Sequence, residues 1–579
     1  MNLNILATAI FVTATASAAS AQQLAQEVDV THDIVPTHRS FSRLQQVPVI
    51  GLKPVAASPV EYSQRMTSAP VVPTASFYQP AAWNDTLPTS PYRGYAMAAY
   101  WPAYHVEASA GYRFIDTDHT RLSAWGQFNG ANYKVSGIEH RHSSAAFGID
   151  LHQAVGKRSF IDAGIDYRFS SFNPYYDIPG DLYEIQGTWH QYVNAVNVTA
   201  AWHSSVQSLK YNVYASYGYF GYRNRLPWYA WPEALDTDSR EPIRQSVMDI
   251  RADALMPFTE TSSIGLDAGY TMSFSPRSSV ANYSMTPDEG YMLSDCREAY
   301  NNGILSLTPR YQLRSSAFNL DAGLNVDFVI NGGAVVRLSP DVRIDWHPAK
   351  LVTVTGTVTG GARLNTLASL YNVNYLNSPM IAYRESYVPY DAEIALTVGP
   401  RKAIYGRLSF AYARANDWLM PQLHHSTSLF ASQDIKGWKA GLTVGAAYKD
   451  WAELEAHVEA APQDYEKGWY LWRDRAKYVA GVDLTVHPIK PLDVTVGWEL
   501  RARRAIIDSH FTLLPEPRAT NICRDLGNIS DINLGGTYRL NQQLSLFAEF
   551  NNILSRKVTM IGGIPYEGFN GLVGAAYKF

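Results

Sequence analysis

The 579-residue sequence predicts an all-β chain, a transmembrane antiparallel β-barrel of about 22 strands with short periplasmic turns and long extracellular loops. Three observations carry this reading. Apolar and polar residues alternate with period two over long stretches, which puts successive side chains on opposite faces of a strand. The connections alternate between short polar turns and much longer segments, the rhythm of a barrel that sits in an outer membrane. After the first twenty residues no apolar run reaches the roughly 18 residues that a membrane-spanning helix needs, so strands are the elements left to cross a bilayer.

The alternation is clearest over 318–328, where Phe318, Leu320, Ala322, Leu324, Val326 and Phe328 are interleaved with Asn319, Asp321, Gly323, Asn325 and Asp327. The same pattern runs through 336–346 and 264–274, and again from Tyr478 to Val486, Leu492 to Leu500 and Leu544 to Phe550. Such segments are longer than the roughly 5–6 residues typical of soluble sheets and match the roughly 9–11 residues of a tilted transmembrane strand. Trp101, Phe114, Phe169, Trp202, Trp346 and Trp498 fall at segment ends, where aromatic girdles meet the lipid headgroups.

Short polar turns fall near 116–119, 153–158, 203–209, 257–261, 314–316, 347–350, 400–402, 449–450, 488–490 and 541–542. The longer connections are 170–189, 222–243, 275–301, 361–390, 414–434, 460–475, 503–530 and 551–567. Ten short turns join twenty strands; a first strand at 92–101 and a last at 568–579 make the count twenty-two. An even number is what single-chain bacterial barrels favour.

Ahead of the barrel, residues 4–19 are apolar and end at Ala19-Ser20-Ala21, a small-x-small cleavage pattern. Residues 1–21 therefore read as a signal peptide, and Gln22 as the first residue after cleavage. Residues 22–91 are rich in Pro, Ser and Thr, too poor in apolar surface to form a globular domain. They read as an extended segment placed in the lumen or the periplasm, and 92–579 as the barrel.

Lys and Arg number 48 against 52 Asp and Glu, a formal charge of −4. No sequence-wide basic field exists to hold phosphates, which argues against nucleic acid as a partner. No nucleophile elbow, zinc-protease helix motif, phosphate loop or paired-cysteine motif occurs, so the expectation is no enzyme and no cofactor. His140, His142 and the pair His424-His425 read as solvated loop histidines.

With the oily face on lipid, the alternate charged residues face the lumen, because Arg or Lys against hydrocarbon costs about 2–4 kcal/mol at the midplane. Arg337, Asp341, Arg343 and Asp345, with Glu499 and Arg501, are the best candidates to handle a ligand there; pairing across neighbouring strands is the competing reading. Trp228, Trp231, Trp469 and Trp472 form aromatic clusters in long loops that could stack on sugars or anchor a protein partner. Cys296 and Cys523 both fall in predicted outer loops, where a disulfide between them would staple the mouth, or both are free thiols.

The chain ends Val573-x-Ala575-x-Tyr577-x-Phe579, which resembles the C-terminal signal that outer-membrane assembly machinery reads, with Tyr577 and Phe579 as its aromatic residues. The strand count, and turns such as Trp346-His347-Pro348 and His487-Pro488-Ile489-Lys490-Pro491-Leu492, resemble the barrel of TonB-dependent receptors over residues 92–579. Those receptors carry an N-terminal plug, for which 22–91 is too short, so the chain resembles their plugless, barrel-only members. The resemblance implies a place in the bacterial outer membrane and uptake or passage of a nutrient at the cell surface without its own plug. The alternative is a non-transporting accessory or scaffold barrel in outer-membrane protein assembly or a surface-lipoprotein complex. Implied partners are outer-membrane lipid, the assembly machinery during insertion, and a surface lipoprotein or envelope complex.

Overall fold

The computed structural model describes residues 91–579 except 103, 136–137, 174–189, 207–208, 224–242, 276–281, 287–289, 295–300, 331–335, 376–384, 401–402, 425–426, 462–475, 513–517 and 557–566. The predicted segment 1–21 and residues 22–90 of the predicted segment 22–91 therefore lie outside the described residues, as do Trp228, Trp231, Trp469, Trp472 and Cys296. Among the described residues no helix is long and apolar enough to cross a membrane.

The strands are β1 (Gly94–Trp101), β2 (His105–Asp116), β3 (Thr120–Val135), β4 (Ile138–Val155), β5 (Ser159–Phe172), β6 (Gln191–Val206), β7 (Leu209–Tyr222), β8 (Arg244–Pro257) and β9 (Ser262–Phe274). A small hairpin, β10 (Asn282–Thr286) and β11 (Gly290–Ser294), stands apart from the main sheet. Then come β12 (Asn301–Arg314), β13 (Phe318–Ile330), β14 (Val336–Ala349), β15 (Val352–Arg363), a short helix α1 (Leu367–Val373) and β16 (Ser386–Val398). The wall is completed by β17 (Ile404–His424), β18 (Thr427–Tyr448), β19 (Ala452–Ala460), β20 (Tyr478–Ile489), β21 (Leu492–Thr512), β22 (Arg518–Arg539), β23 (Leu544–Asn551) and β24 (Asn570–Lys578).

Each wall strand pairs antiparallel with its neighbours, and β9 pairs with β12 past the small hairpin. β24 returns to pair with β1, Ala96 opposite Tyr577 and Ala98 opposite Ala575, so the sheet is a closed barrel of 22 strands. Closure leaves no sheet edge, the condition for crossing a bilayer with strands. The seam is tied at the very end of the chain, where the Phe579 carbonyl accepts from the N–H groups of Arg93 and Gly94 at 2.8 Å each.

The two faces separate as the alternation dictates. Outward positions carry Phe114, Phe147, Ile149, Ile165, Leu338, Ile394, Leu408, Phe410 and Val458, each about half or more exposed in the isolated chain. Inward positions carry Asp321, Asp327, Asp341, Asn325 and Arg310, all buried. An apolar exterior around a polar interior inverts a soluble protein and fits a barrel set in lipid. Trp202 and Trp346 of the predicted girdles are among the exposed residues.

The predicted short turns at 116–119, 153–158, 257–261, 314–316, 347–350, 449–450, 488–490 and 541–542 are tight connections at one end of the barrel. At the other end the structure departs from the expectation. Segments 414–434 and 503–530 are not open loops: β17 and β18 run 21 and 22 residues and pair almost to the tip, and β21 and β22 do the same. At about 3.3 Å per residue such strands approach 70 Å, more than twice the roughly 30 Å hydrocarbon core. β-Bulges mark the change, with Asp417 and Arg503 at positive φ of 53° and 55°. The Asn528 side chain accepts from the Arg503 N–H at 2.8 Å, satisfying a donor the bulge removes from the ladder. Beyond the bulges the hairpins meet, Leu423 and His424 of β17 lying parallel to Asp508 and Ser509 of β21. Cys523 accordingly lies in β22 opposite Ile507, not in a loop.

Candidate functional site: the lumen and its inward-folded loop

The lumen wall is a mosaic of charge. Its densest point is Arg310 on β12, whose guanidinium is ion-paired with Asp267 of β9 and with Asp341 of β14 at 3.3 Å, and lies 4.0 Å from Asp321 of β13. Arg310 stands opposite Gly323, and Gly323 stands opposite Asp341. With no side chain on β13 at that level, the arginine reaches across a whole strand. A Cβ on Gly323 would sit 3.1 Å from Thr308 Cγ2 and 3.2 Å from the Pro309 carbonyl oxygen, so the crossing depends on glycine.

The six candidate lumen charges occupy inward positions in two separate groups. Arg337, Asp341, Arg343 and Asp345 are on β14, while Glu499 and Arg501 are on β21, seven strands further round the wall. None of the ion pairs they make joins neighbouring strands as expected. Arg343 chelates Asp345 two residues along the same strand at 3.0 and 3.3 Å, and Arg501 pairs with Glu499 likewise. Two-residue spacing puts both side chains on one face, within reach. Asp341 is taken by Arg310 from two strands away, and Arg337 lies 3.7 Å from Glu385 with its guanidinium 4.8 Å from the centre of the Tyr387 ring.

Above Arg337 the wall opens inward. Near the end of β15 come Gly360 and Gly361, with a register shift against β16 and Gly361 at φ 144°. A Cβ on Gly360 would meet the Val388 carbonyl oxygen, Ser339 Cβ at 2.6 Å and the Pro389 carbonyl oxygen at 2.8 Å. Two side chains of β13 hold the bend: Asn325 donates to the Gly360 carbonyl at 3.0 Å, and Asp327 accepts from the Ala362 N–H at 2.7 Å and from Ser306 Oγ at 2.6 Å. The chain leaving β15 is thereby aimed into the lumen.

Helix α1 follows. Thr366 caps it, its hydroxyl accepting from the Ser369 N–H at 3.1 Å while Ser369 Oγ accepts from the Thr366 N–H at 3.0 Å. Gln245, on β8, accepts from the Leu367 N–H at 2.7 Å and so satisfies a further N-terminal donor. Leu367, Leu370 and Tyr371 share one helix face and are all buried. They pack against Phe172 of β5, Val193 of β6, Phe220 and Tyr222 of β7, Leu419 of β17 and Phe430 of β18. Strands β5 to β7 lie six to eight places round the wall from β15, so α1 reaches across the barrel.

That contact is built into the wall strands. On β5 the inward residues run Phe160, Asp162, Gly164, Asp166, Arg168, Ser170 and then Phe172; on β7 they run Lys210, Asn212, Tyr214, Ser216, Gly218 and then Phe220 and Tyr222. The inward set turns apolar where α1 lands. Tyr371 makes ring contacts with Phe172, Phe220, Tyr222 and Tyr375, at centroid distances of 6.1, 5.2, 6.4 and 6.1 Å. Burial pushes its phenol up to about 12, against the opposing pull of Ser170. Tyr375 also packs on Phe172 and on the ring of His142, both at 4.9 Å.

His142 corrects the sequence reading: it and His140 are buried inward residues of β4, not solvated loop histidines. His140 stacks on Tyr133, which stacks on His105, and His105 Nε2 lies 2.8 Å from Glu567 Oε1. Among the described residues no group of three metal-ligating side chains converges.

A closed 22-strand antiparallel wall, an apolar exterior and a charged lumen define a transmembrane β-barrel of the outer-membrane type. No family model matches the sequence, and no curated protein matches it. Solved structures do match in fold. The siderophore receptor PirA from Acinetobacter baumannii superposes with a TM-score of 0.65 at 11% identity, over 85% of this chain and 81% of that one. A mutant of the ferric enterobactin receptor PfeA from Pseudomonas aeruginosa gives 0.62 at 11% identity, over 84% and 80%. P. aeruginosa FpvA bound to a heterologous ferric pyoverdine gives 0.57 at 11% identity, over 84% and 72%. At this identity the likeness is one of fold.

Proposed function

We propose that this barrel is a cell-surface passage or receptor for a small nutrient, its lumen narrowed from within by helix α1 of the β15–β16 connection. The observation that carries the reading is α1: an apolar patch, set among polar inward residues on β5 to β7, receives a helix delivered from the far side of the wall. A barrel serving only as a scaffold has no need of a dedicated seat for a loop in its bore. The receptor names of its fold neighbours agree with this reading. The test is conductance of the full chain in planar bilayers beside a variant in which residues 364–385 are replaced by a short Gly/Ser linker. A quiet parent and a conducting variant are expected. If neither conducts, the passage reading fails.

The joined hairpins β17–β18 and β21–β22 favour a second reading, a barrel that presents a rigid projection to an envelope partner. Affinity purification from gently solubilised outer membrane separates the two. Recovery alone or with one surface lipoprotein fits passage, and recovery with assembly machinery fits a scaffold.

A further inference from the structure

We propose that the outward face of β16 to β18 carries a site for a phosphate group of an outer-leaflet lipid, clamped between Arg414 of β17 and Lys436 of β18. The site is on the outside of the wall, so it rests on the membrane setting of the barrel and not on the passage reading.

Three rows of the ladder build it. Ile394, Phe410 and Ala440 stand side by side on β16, β17 and β18; above them come Ala392, Tyr412 and Trp438, and then Tyr390, Arg414 and Lys436. Leu408 and Phe410, each about half exposed, fix this as the lipid face. Below the third row the outward positions of β17 and β18, from Ile404 to Tyr412 and from Trp438 to Ala446, hold no charged residue. Tyr390 stacks on Tyr412 at 6.0 Å and Phe410 on Trp438 at 5.9 Å, an aromatic belt of the kind that marks a membrane interface. The two bases stand on top of that belt.

Their level is that of lipid headgroups. Ile404 lies beside a short turn at the start of β17, and Arg414 comes ten residues later. At about 3.3 Å per residue and a tilt of about 40°, that stretch climbs about 25 Å, the height of the apolar band. The register shifts of β16–β17 and β17–β18 begin immediately above.

The charges decide what fits there. Among the described rows of the wall this is the one place where two residues drawn from Lys and Arg stand directly opposite each other. A single base at this depth can extend to water by itself, but like charges directly opposed on one face repel, and an anion between them turns the repulsion into a clamp. Arg414 is exposed, and its Nε donates to a neutral acceptor, Asn416 Oδ1, at 3.3 Å. Asp417 and Asp434, next along the two strands, are engaged at the bulge: Asp434 accepts from the Asp417 N–H at 3.2 Å, and Asp417 accepts from Ser432 Oγ at 3.3 Å. A phosphate can take the guanidinium fork through two oxygens and the ammonium through a third. The apolar rows beneath then receive acyl chains, which a free phosphate lacks.

The probe is bis-phosphorylated lipid A, titrated into the purified full-length protein in mild detergent and counted by native mass spectrometry. Retained lipid is expected, and Arg414→Gln with Lys436→Gln should remove one lipid from the count. Lys157→Gln with Arg158→Gln, the same charge loss in a turn at the other end of the barrel, should leave the count unchanged. Lipid A stripped of its phosphates should leave the site empty, and inorganic phosphate should displace the lipid only in large excess. Arg414→Gln alone serves if the double variant does not fold. An unchanged count in the Arg414 and Lys436 variant, equal loss in the turn variant, equal retention of the dephosphorylated lipid, or displacement by equimolar inorganic phosphate would each overturn the assignment. Because the readout is bound lipid and not conductance, its failure leaves the passage reading untouched, and the reverse holds.

Discussion

Replacing Tyr371 by alanine tests whether α1 closes the lumen. The helix has seven residues, too few to be stable by itself, since isolated helices shorter than about 12–15 residues are marginal in water. Its position therefore depends on what its buried face touches, and Tyr371 touches four rings on two sides. Truncating a buried aromatic ring to alanine costs about 3–5 kcal/mol. All of that falls on the docked state, because a loop swung away from the wall has already lost the contact. At 1.4 kcal/mol per factor of ten, the docked-to-undocked ratio should fall roughly 10²- to 4 × 10³-fold. In planar bilayers the Tyr371→Ala protein should open far more often than the parent, while the barrel keeps its heat-resistant mobility on gels. Tyr371→Phe, which retains the ring, should behave as the parent. Unchanged conductance of Tyr371→Ala, with a lowered unfolding temperature, would refute the reasoning and make the cluster ordinary packing.

Gly360→Val should disturb the exit of β15, because its new side chain is driven onto the Val388 and Pro389 carbonyls, which cannot give way; a lower yield of folded barrel on heat-modifiability gels is the expected result. Arg310→Met strips the partner from Asp267 and Asp341 and should cost about 3–5 kcal/mol, the usual penalty for orphaning buried charge, read as a lowered unfolding temperature. Arg310→Met combined with Asp267→Asn and Asp341→Asn should recover part of that loss. Deleting Phe579 removes the carbonyl that accepts from Arg93 and Gly94 at the seam, and should cut the folded fraction several-fold in refolding into detergent or lipid.

The wall was legible because every crossing strand obeys the same two constraints. The stretch 318–328 must put Phe318 to Phe328 on lipid and Asp321 and Asp327 on water, and the ladder fixes β13 against β14 with Asp327 opposite Arg337. A slip of one residue would turn every charge onto hydrocarbon. Beyond the bilayer that pressure ends. Segments 414–434 and 503–530 stop alternating, and their composition then reads as loop although the backbone pairing continues. Strand register survives where the hydrophobic signal does not.

The site was less legible, for a related reason. The two-residue spacings of Arg343 with Asp345 and of Glu499 with Arg501 are visible in the sequence, but the reach of Arg310 across Gly323 to Asp341 is a property of three adjacent strands, which no single segment reveals. Helix α1 left a faint trace in Thr366 and Ser369 ahead of Leu367, Leu370 and Tyr371, the spacing of a capped turn with one apolar face. A sharper trace lies on the receiving wall. Phe172, Val193, Phe220 and Tyr222 stand at inward positions of strands whose other inward residues include Asp162, Asp166, Arg168, Asn197, Asn212 and Ser216, a break in the pattern that lipid contact cannot explain. In a barrel whose bore is meant for water, an apolar residue on the inside implies something inside to cover it. Here that something is the chain's own loop, so the places where the alternation fails mark the part of the wall that receives it.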